Sequence, residues 1–127
     1  MRALVVDDST ALRAVLRRYL GSHKFEVSEA KNGVDALKVL SQIGTADLML
    51  VDWNMPEMDG FQFVCEVRKD QTYQNTPIVM VTTESSLHQV SEALQAGASD
   101  YIMKPFTPDI LTEKLRLLGL VQDDAEN

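Results

Sequence analysis

The sequence predicts an α/β domain in which five strand–helix units follow one another, forming a parallel sheet covered by helices on both faces. Three observations carry this expectation. Strand-like and helix-like hydrophobic periods alternate down the chain. Three of the strand-like runs are apolar nearly throughout, as strands buried on both faces are. Capping and turn residues stand where the period changes. No internal repeat, linker or low-complexity tract interrupts the 127 residues, a length suited to one domain. Residues 1–120 are read as that domain and 121–127 as a short acidic tail ending in "QDDAEN".

Taken in order, the strands are read in "ALVV", "FEVSEA", "DLMLV", "PIVMV" and "DYIM". The first helix puts Leu12, Val15, Leu16, Tyr19 and Leu20 on one face, with Arg13, Arg17 and Arg18 pointing away. Ser9 or Thr10 caps its start and Gly21 follows its end. Asn32-Gly33 turns into a second helix with Ala36, Val39, Leu40 and Ile43 at i, i+3, i+4 and i+7. The third helix holds Phe63, Val64 and Val67, and Cys65 falls within it. The fourth holds Leu87, Val90 and Leu94, capped by Ser85 or Ser86 and ended by Gly97. Pro108 suits the first turn of the fifth, which carries Leu111, Leu115 and Leu118.

In open parallel sheets the ligand site lies beyond the carboxyl ends of the strands, where the strand order reverses. Asp7 and Asp8 follow strand one, Asp52 ends strand three, Thr82 and Thr83 follow strand four, and Lys104 follows strand five. All are therefore expected at one edge. His23, in a turn, and His88, opening a helix, fall away from it.

Composition narrows the functions. Hydrophobic content of 45% and charged content of 24% are those of a globular protein, and a net charge of −7 argues against a nucleic-acid binder. Acids or glycines break every apolar run well short of the about 20 residues that cross a bilayer. The first residues already read as a strand, so no signal peptide is expected. One cysteine rules out an internal disulfide and fits a reducing compartment, so the expected location is cytoplasmic.

Three carboxylates in one place repel, and burial makes the repulsion worse by raising their pKa values. Either Lys104 or a divalent cation must sit among them. An all-oxygen donor set without His or Cys suits Mg²⁺, with Mn²⁺ as the alternative, rather than zinc. A cation flanked by a hydroxyl and an ammonium is what a phosphoryl group in transfer requires, and a carboxylate can serve as its nucleophile. For any single acid the plain alternative is a helix cap or turn residue.

The segments "VVDDS", "LVDWNMPEMDGF", "VMVTTE" and "GASDYIMKPF" together resemble the receiver domain of two-component response regulators, over essentially the whole chain. The resemblance implies a flavodoxin-like sheet of order 2-1-3-4-5. It implies Asp52 as phosphoacceptor, Thr82 bonding the phosphoryl group and Lys104 pairing with it. Mg²⁺ would be held by Asp8, Asp52 and the backbone carbonyl of Asn54, with Asp7 acting through water. Lys104-Pro105 matches the family's cis peptide. Thr82, Glu84, Tyr101, Phe106 and Lys114 would form the switch and partner face, Tyr101 being the aromatic whose rotamer follows phosphorylation. Where the family usually has Ala or Gly after the switch threonine, this chain has Thr83, whose β-branched side chain narrows access to Asp52.

On this resemblance the chain is a monomeric signalling switch rather than a turnover enzyme. It catalyses its own phosphorylation from phosphohistidine or acetyl phosphate and its slow autodephosphorylation. The implied partners are a chemotaxis-type histidine kinase and then a flagellar motor switch protein or a phosphatase. A single-domain relay passing phosphate to a histidine-phosphotransfer domain is the alternative. Trp53, Asn54, Glu84 and Tyr101 match chemotaxis members, and with residues 121–127 read as a short tail after the fifth helix, no DNA-binding effector is expected. Trp53 should lie beside the metal, Met55 at the fringe of the site, and Arg13, Arg17 and Arg18 either dock the kinase or form a solvated face. Two rivals fit less well. A haloacid dehalogenase-type phosphatase has its nucleophile after the first catalytic strand and a second acid where this chain has Asn54. A flavin carrier needs donors, not the acids of "DDST", to hold a phosphate.

Overall fold

The computed structural model describes residues 1–83 and 88–121. Within them, five parallel strands alternate with helices: β1 (Arg2–Val6), α1 (Thr10–Ser22), β2 (Glu26–Ala30), α2 (Gly33–Ile43), β3 (Leu48–Asp52), α3 (Gly60–Arg68), β4 (Ile78–Thr82), α4 (Val90–Ala96), β5 (Asp100–Met103) and α5 (Pro108–Leu117). A 3₁₀ turn at Gln71–Tyr73, which no hydrophobic period announces, links α3 to β4; Asp70 caps it by accepting from the Thr72 N–H. The strands pair in the order β2-β1-β3-β4-β5, all parallel, as the sequence resemblance implies.

Because successive side chains on a strand point to opposite faces, the sheet divides the core in two. Leu4, Val6, Met49, Val51, Ile78 and Met80 face α2, α3 and α4, meeting Ala36, Leu40, Phe63, Val64, Val67 and Ala93. Ala3, Val5, Leu48, Leu50, Val79, Val81 and Ile102 face α1 and α5, meeting Leu16, Leu20, Leu111 and Leu115. Strands β3 and β4 are buried along their whole length, which is why their sequences lack polar alternation. Each fully buried Leu, Ile or Phe contributes about 2 kcal/mol relative to exposure.

The helix starts are set by side chains that accept orphan backbone N–H groups. Ser9 accepts from Leu12, Asn32 from Asp35, Thr107 from Ile110, and Asp59 forms a reciprocal capping box with Gln62. Pro108 occupies the first turn of α5 as its fixed φ favours.

Two expectations about where helices end and which residues line them fail. Gly21 does not follow the end of α1; the helix runs through it to Ser22. The chain is turned by Lys24 at φ 68, with Phe25 N–H reaching the Leu20 carbonyl and Lys24 N–H the Gly21 carbonyl. Phe25 and Leu20 are buried in the same layer, so an apolar contact closes this stop and a lysine takes the left-handed position usual for glycine. Leu94 is exposed rather than part of the inner face of α4, which is made by Val90 and Ala93. Its predicted neighbour Leu87, and the predicted caps Ser85 and Ser86, lie outside the described residues.

Gly97 ends α4 with φ 122, as expected. Arg68 at the end of α3 fastens this corner, donating from Nε and Nη2 to the Gly97 carbonyl (3.0 and 2.8 Å) and from Nη1 to that of Tyr73. Cys65 is a free, half-buried thiol. Among the described residues no helix is long and apolar enough to cross a membrane.

Candidate functional site

The sheet order reverses between β1 and β3: the chain moves outward to β2, then crosses back to the other side of β1. At the carboxyl ends of that pair the structure gathers the acids. Asp7, 2% exposed, follows β1; Asp52, 6% exposed, ends β3; Asp8 stands beside them, exposed. One oxygen from each of Asp7, Asp8 and Asp52 can be chosen so that all lie within 4.8 Å of one another.

Lys104 reaches this cluster from the loop after β5. Its Nζ lies 3.2 Å from Asp52 Oδ1 and 3.3 Å from Asp7 Oδ2. The loop is held by the Lys104 N–H bond to the Thr82 carbonyl, 2.6 Å, and the Lys104–Pro105 peptide is cis. Thr82, 1% exposed, closes β4 and donates from Oγ1 to the Thr83 carbonyl at 3.3 Å. The sequence-predicted acids, threonine and lysine therefore share one edge.

Electrostatics follow from this crowding. Burial is the main cause pushing the Asp52 carboxyl up from its usual value to about 6; the Asp7 charge adds to it, Lys104 opposes it, and Asp8 adds a little more. Burial pulls the Lys104 ammonium down, but Asp52 and Asp7 outweigh it, leaving Lys104 above the usual lysine value. One ammonium against three carboxylates leaves the site short of positive charge. Oxygen donors, a charge deficit and a compact spacing fit a small hard cation such as Mg²⁺.

The β3–α3 loop is pressed against the site by Gly60. Its N–H donates to the Trp53 carbonyl at 2.9 Å, and a Cβ there would lie 2.4 Å from the Asp52 carbonyl oxygen and 3.0 Å from Trp53 Cα. Trp53 itself is buried, 6.1 Å from the Phe61 ring between centroids. Asn54 is exposed just beyond it and Met55 packs on the α2–α4 side of the core.

The remaining predicted residues spread further. Tyr101 is half-buried on the α2–α4 side, with Lys114 Nζ 5.4 Å above its ring and 3.0 Å from Asp100 Oδ1. Phe106 packs on the opposite side and lines a groove of about 280 Å³ with Leu12, Val15, Tyr19, Lys104 and Pro105. Glu84 lies outside the described residues. His23 Nε2 is 3.1 Å from Thr112 Oγ1, joining α1 to α5, and His88 is exposed ahead of α4.

Sequence reasoning missed what holds Asp7. Arg13, expected to point away, is half-buried and donates from Nη1 to the Asp7 carbonyl at 2.6 Å and from Nε to Glu29 Oε1 at 3.1 Å. The reason is the polar position Glu29 on edge strand β2, which draws in both Arg13 and Arg17. Only the acidic, half-exposed alternation of "FEVSEA" hinted at it.

The family profile of the response regulator receiver domain matches residues 3–116. The chain belongs to the response regulator receiver family. Receiver-domain relatives include chemotaxis protein CheY1 of Helicobacter pylori, 43% identical over 119 residues that span 93% of this chain and 96% of that protein. A chemotaxis protein CheY homolog of Campylobacter jejuni is 44% identical over 117 residues, 91% of this chain and 89% of the relative. Among solved receiver structures, chemotaxis protein CheY4 of Vibrio cholerae superposes with a TM-score of 0.85 at 38% identity, covering 92% of this chain and 97% of that one.

Proposed function

We propose that this receiver domain is a cytoplasmic chemotaxis response regulator that takes a phosphoryl group from a histidine kinase onto Asp52 and thereby switches a protein-binding face. The observation that carries the reading is the convergence of Asp7, Asp8 and Asp52 on one edge with Lys104 bonded to two of them. The similarity to CheY proteins supports the chemotaxis output.

Asp8, Asp52 and the Asn54 carbonyl would hold Mg²⁺, with Asp7 acting through water. When bound, the cation neutralises the non-bridging oxygens of the phosphoryl group. An Asp52 carboxyl oxygen attacks phosphorus in line; the P–O bond forms as the P–N bond of the phosphohistidine breaks, and the imidazole keeps the electron pair and takes up a proton. With its pKa near 6, Asp52 is mostly ionised at neutral pH and ready to attack. Lys104 exchanges its carboxylate partners for the new phosphoryl oxygens, a charge-assisted contact. Thr82 turns its hydroxyl from the Thr83 carbonyl toward the same group. Space opens behind β4, and Tyr101 turns inward to fill it. Moving such a switch from mostly off to mostly on takes roughly 5 kcal/mol of differential interaction. The β-branched Thr83, one residue past the end of β4, would narrow access to Asp52 and so slow both arrival of donors and loss of the phosphoryl group.

The reading is tested by incubating the chain with acetyl phosphate and following intact mass. One phosphoryl group is gained with Mg²⁺ and none after chelation. The phosphorylated chain then binds a motor-switch peptide; transfer to a histidine-phosphotransfer domain without peptide binding favours the relay reading instead.

A further inference from the structure

A cation site gains nothing electrostatically from a guanidinium close behind it, yet Arg13 is built into this one. Its side chain is 16% exposed, and it pairs with Glu29 rather than with Asp7, Asp8 or Asp52; at the site it bonds the main-chain carbonyl of Asp7. That carbonyl belongs to the peptide joining Asp7 to Asp8, so fixing its direction fixes the plane from which the Asp8 side chain projects. The other polar groups of Asp7 are also taken: N–H by the Ala30 carbonyl at 3.0 Å, Oδ1 by the Ser9 N–H at 2.8 Å, and Oδ2 by Lys104. Arg13 is in turn held by Glu29, whose second oxygen accepts from Arg17 Nε at 2.7 Å. Burial pushes the Glu29 carboxyl up, but Arg17 and Arg13 together hold it below its usual value, so the anchor stays ionised at neutral pH.

We propose that Arg13, clamped by Glu29, is a positioning residue that fixes the Asp7–Asp8 peptide and so presents the Asp8 carboxylate to the bound divalent cation. This rests on the reading of the acidic edge as a Mg²⁺ site. Two effects of removing Arg13 have opposite signs. Loss of a nearby positive charge alone tightens Mg²⁺ binding. Loss of positioning weakens it, and outer-shell partners of metal ligands typically account for 10–100-fold in affinity.

The test is Mg²⁺ titration of the full chain at neutral pH by calorimetry and Trp53 fluorescence, with unfolding curves run in parallel. Arg13→Met is expected to weaken Mg²⁺ about tenfold. Arg13→Lys restores the charge but not the fork that spans two acceptors, so it stays weak, and Glu29→Gln shifts affinity the same way by a smaller factor. Unchanged or tighter binding by folded Arg13→Met overturns the proposal; if that variant does not fold, wild-type affinity in both Arg13→Lys and Glu29→Gln overturns it. Failure of the underlying reading looks different: wild type binds no Mg²⁺, or Asp8→Asn binds as wild type does.

Discussion

Lys104 Nζ lies 3.2 Å from Asp52 Oδ1, an ion pair joining the ends of β3 and β5 across the carboxyl edge of the sheet. The pair opposes the burial that raises the Asp52 carboxyl to about 6. Replacing Lys104 with Met is therefore expected to move the Asp52 pKa further up, because the one close positive charge that favours the carboxylate is lost. Carbon-detected NMR titration of the Asp52 carboxyl measures this, and an unchanged or lower value would contradict it.

Asp52 also makes stability depend on pH. Its carboxyl binds a proton more tightly in the folded chain, about 6, than at the ordinary 3.8, so its contribution is complete at low pH and lost as pH rises through that window. Asp52→Asn removes the loss. Urea unfolding should show the variant close to wild type near about pH 4 and more stable by about 2 kcal/mol at pH 7. A gap that is constant with pH would contradict the assignment. Mg²⁺, which needs the ionised carboxylate, should correspondingly bind wild type less well below about pH 6.

Gly60 allows the β3–α3 loop to pass against the backbone of β3. A methyl at this position would stand 2.4 Å from the Asp52 carbonyl oxygen, a contact with main chain that no rotamer relieves. Gly60→Ala is expected to cost about 3 kcal/mol and to loosen the loop carrying Trp53 and Asn54. Chemical denaturation measures the cost; a change below about 0.5 kcal/mol would show that the loop yields freely.

Lys24 occupies a left-handed position at φ 68 that closes α1. Its N–H bond to the Gly21 carbonyl needs only backbone, so Lys24→Gly keeps the stop while relieving the strain. The expected gain is about 0.5–1 kcal/mol, seen as a higher Tm. A lower Tm would show that the Lys24 side chain matters more than its backbone.

The architecture was legible because its cause is local. Apolar runs of four or five residues bounded by turn formers are too short for helices and fit buried strands, and Ser9, Asn32, Asp59 and Thr107 stand where caps are needed. The edge was legible because parallel topology brings every strand's carboxyl end to one side, which puts Asp7, Asp52, Thr82 and Lys104 together on sequence order alone. What escaped depended on long-range company. The bend at Lys24 rather than Gly21 is decided by Phe25 meeting Leu20, and Arg13 turns inward because Glu29 on β2 is waiting. Leu94 looks like core by period and is exposed because Ala93 and Val90 already fill the α4 interface. Phe106 and Tyr101, alike in composition, part company because they pack on opposite sides of the sheet.

The central claim is that Asp52 is the nucleophile of phosphoryl transfer. The direct measurement is peptide-resolved mass spectrometry of wild type and Asp52→Asn after exposure to acetyl phosphate and Mg²⁺. One phosphoryl group on the peptide holding Asp52 in wild type, and none anywhere in the variant, is the predicted result. Full incorporation by Asp52→Asn, or a phosphoryl group mapped to another residue of wild type, would contradict it.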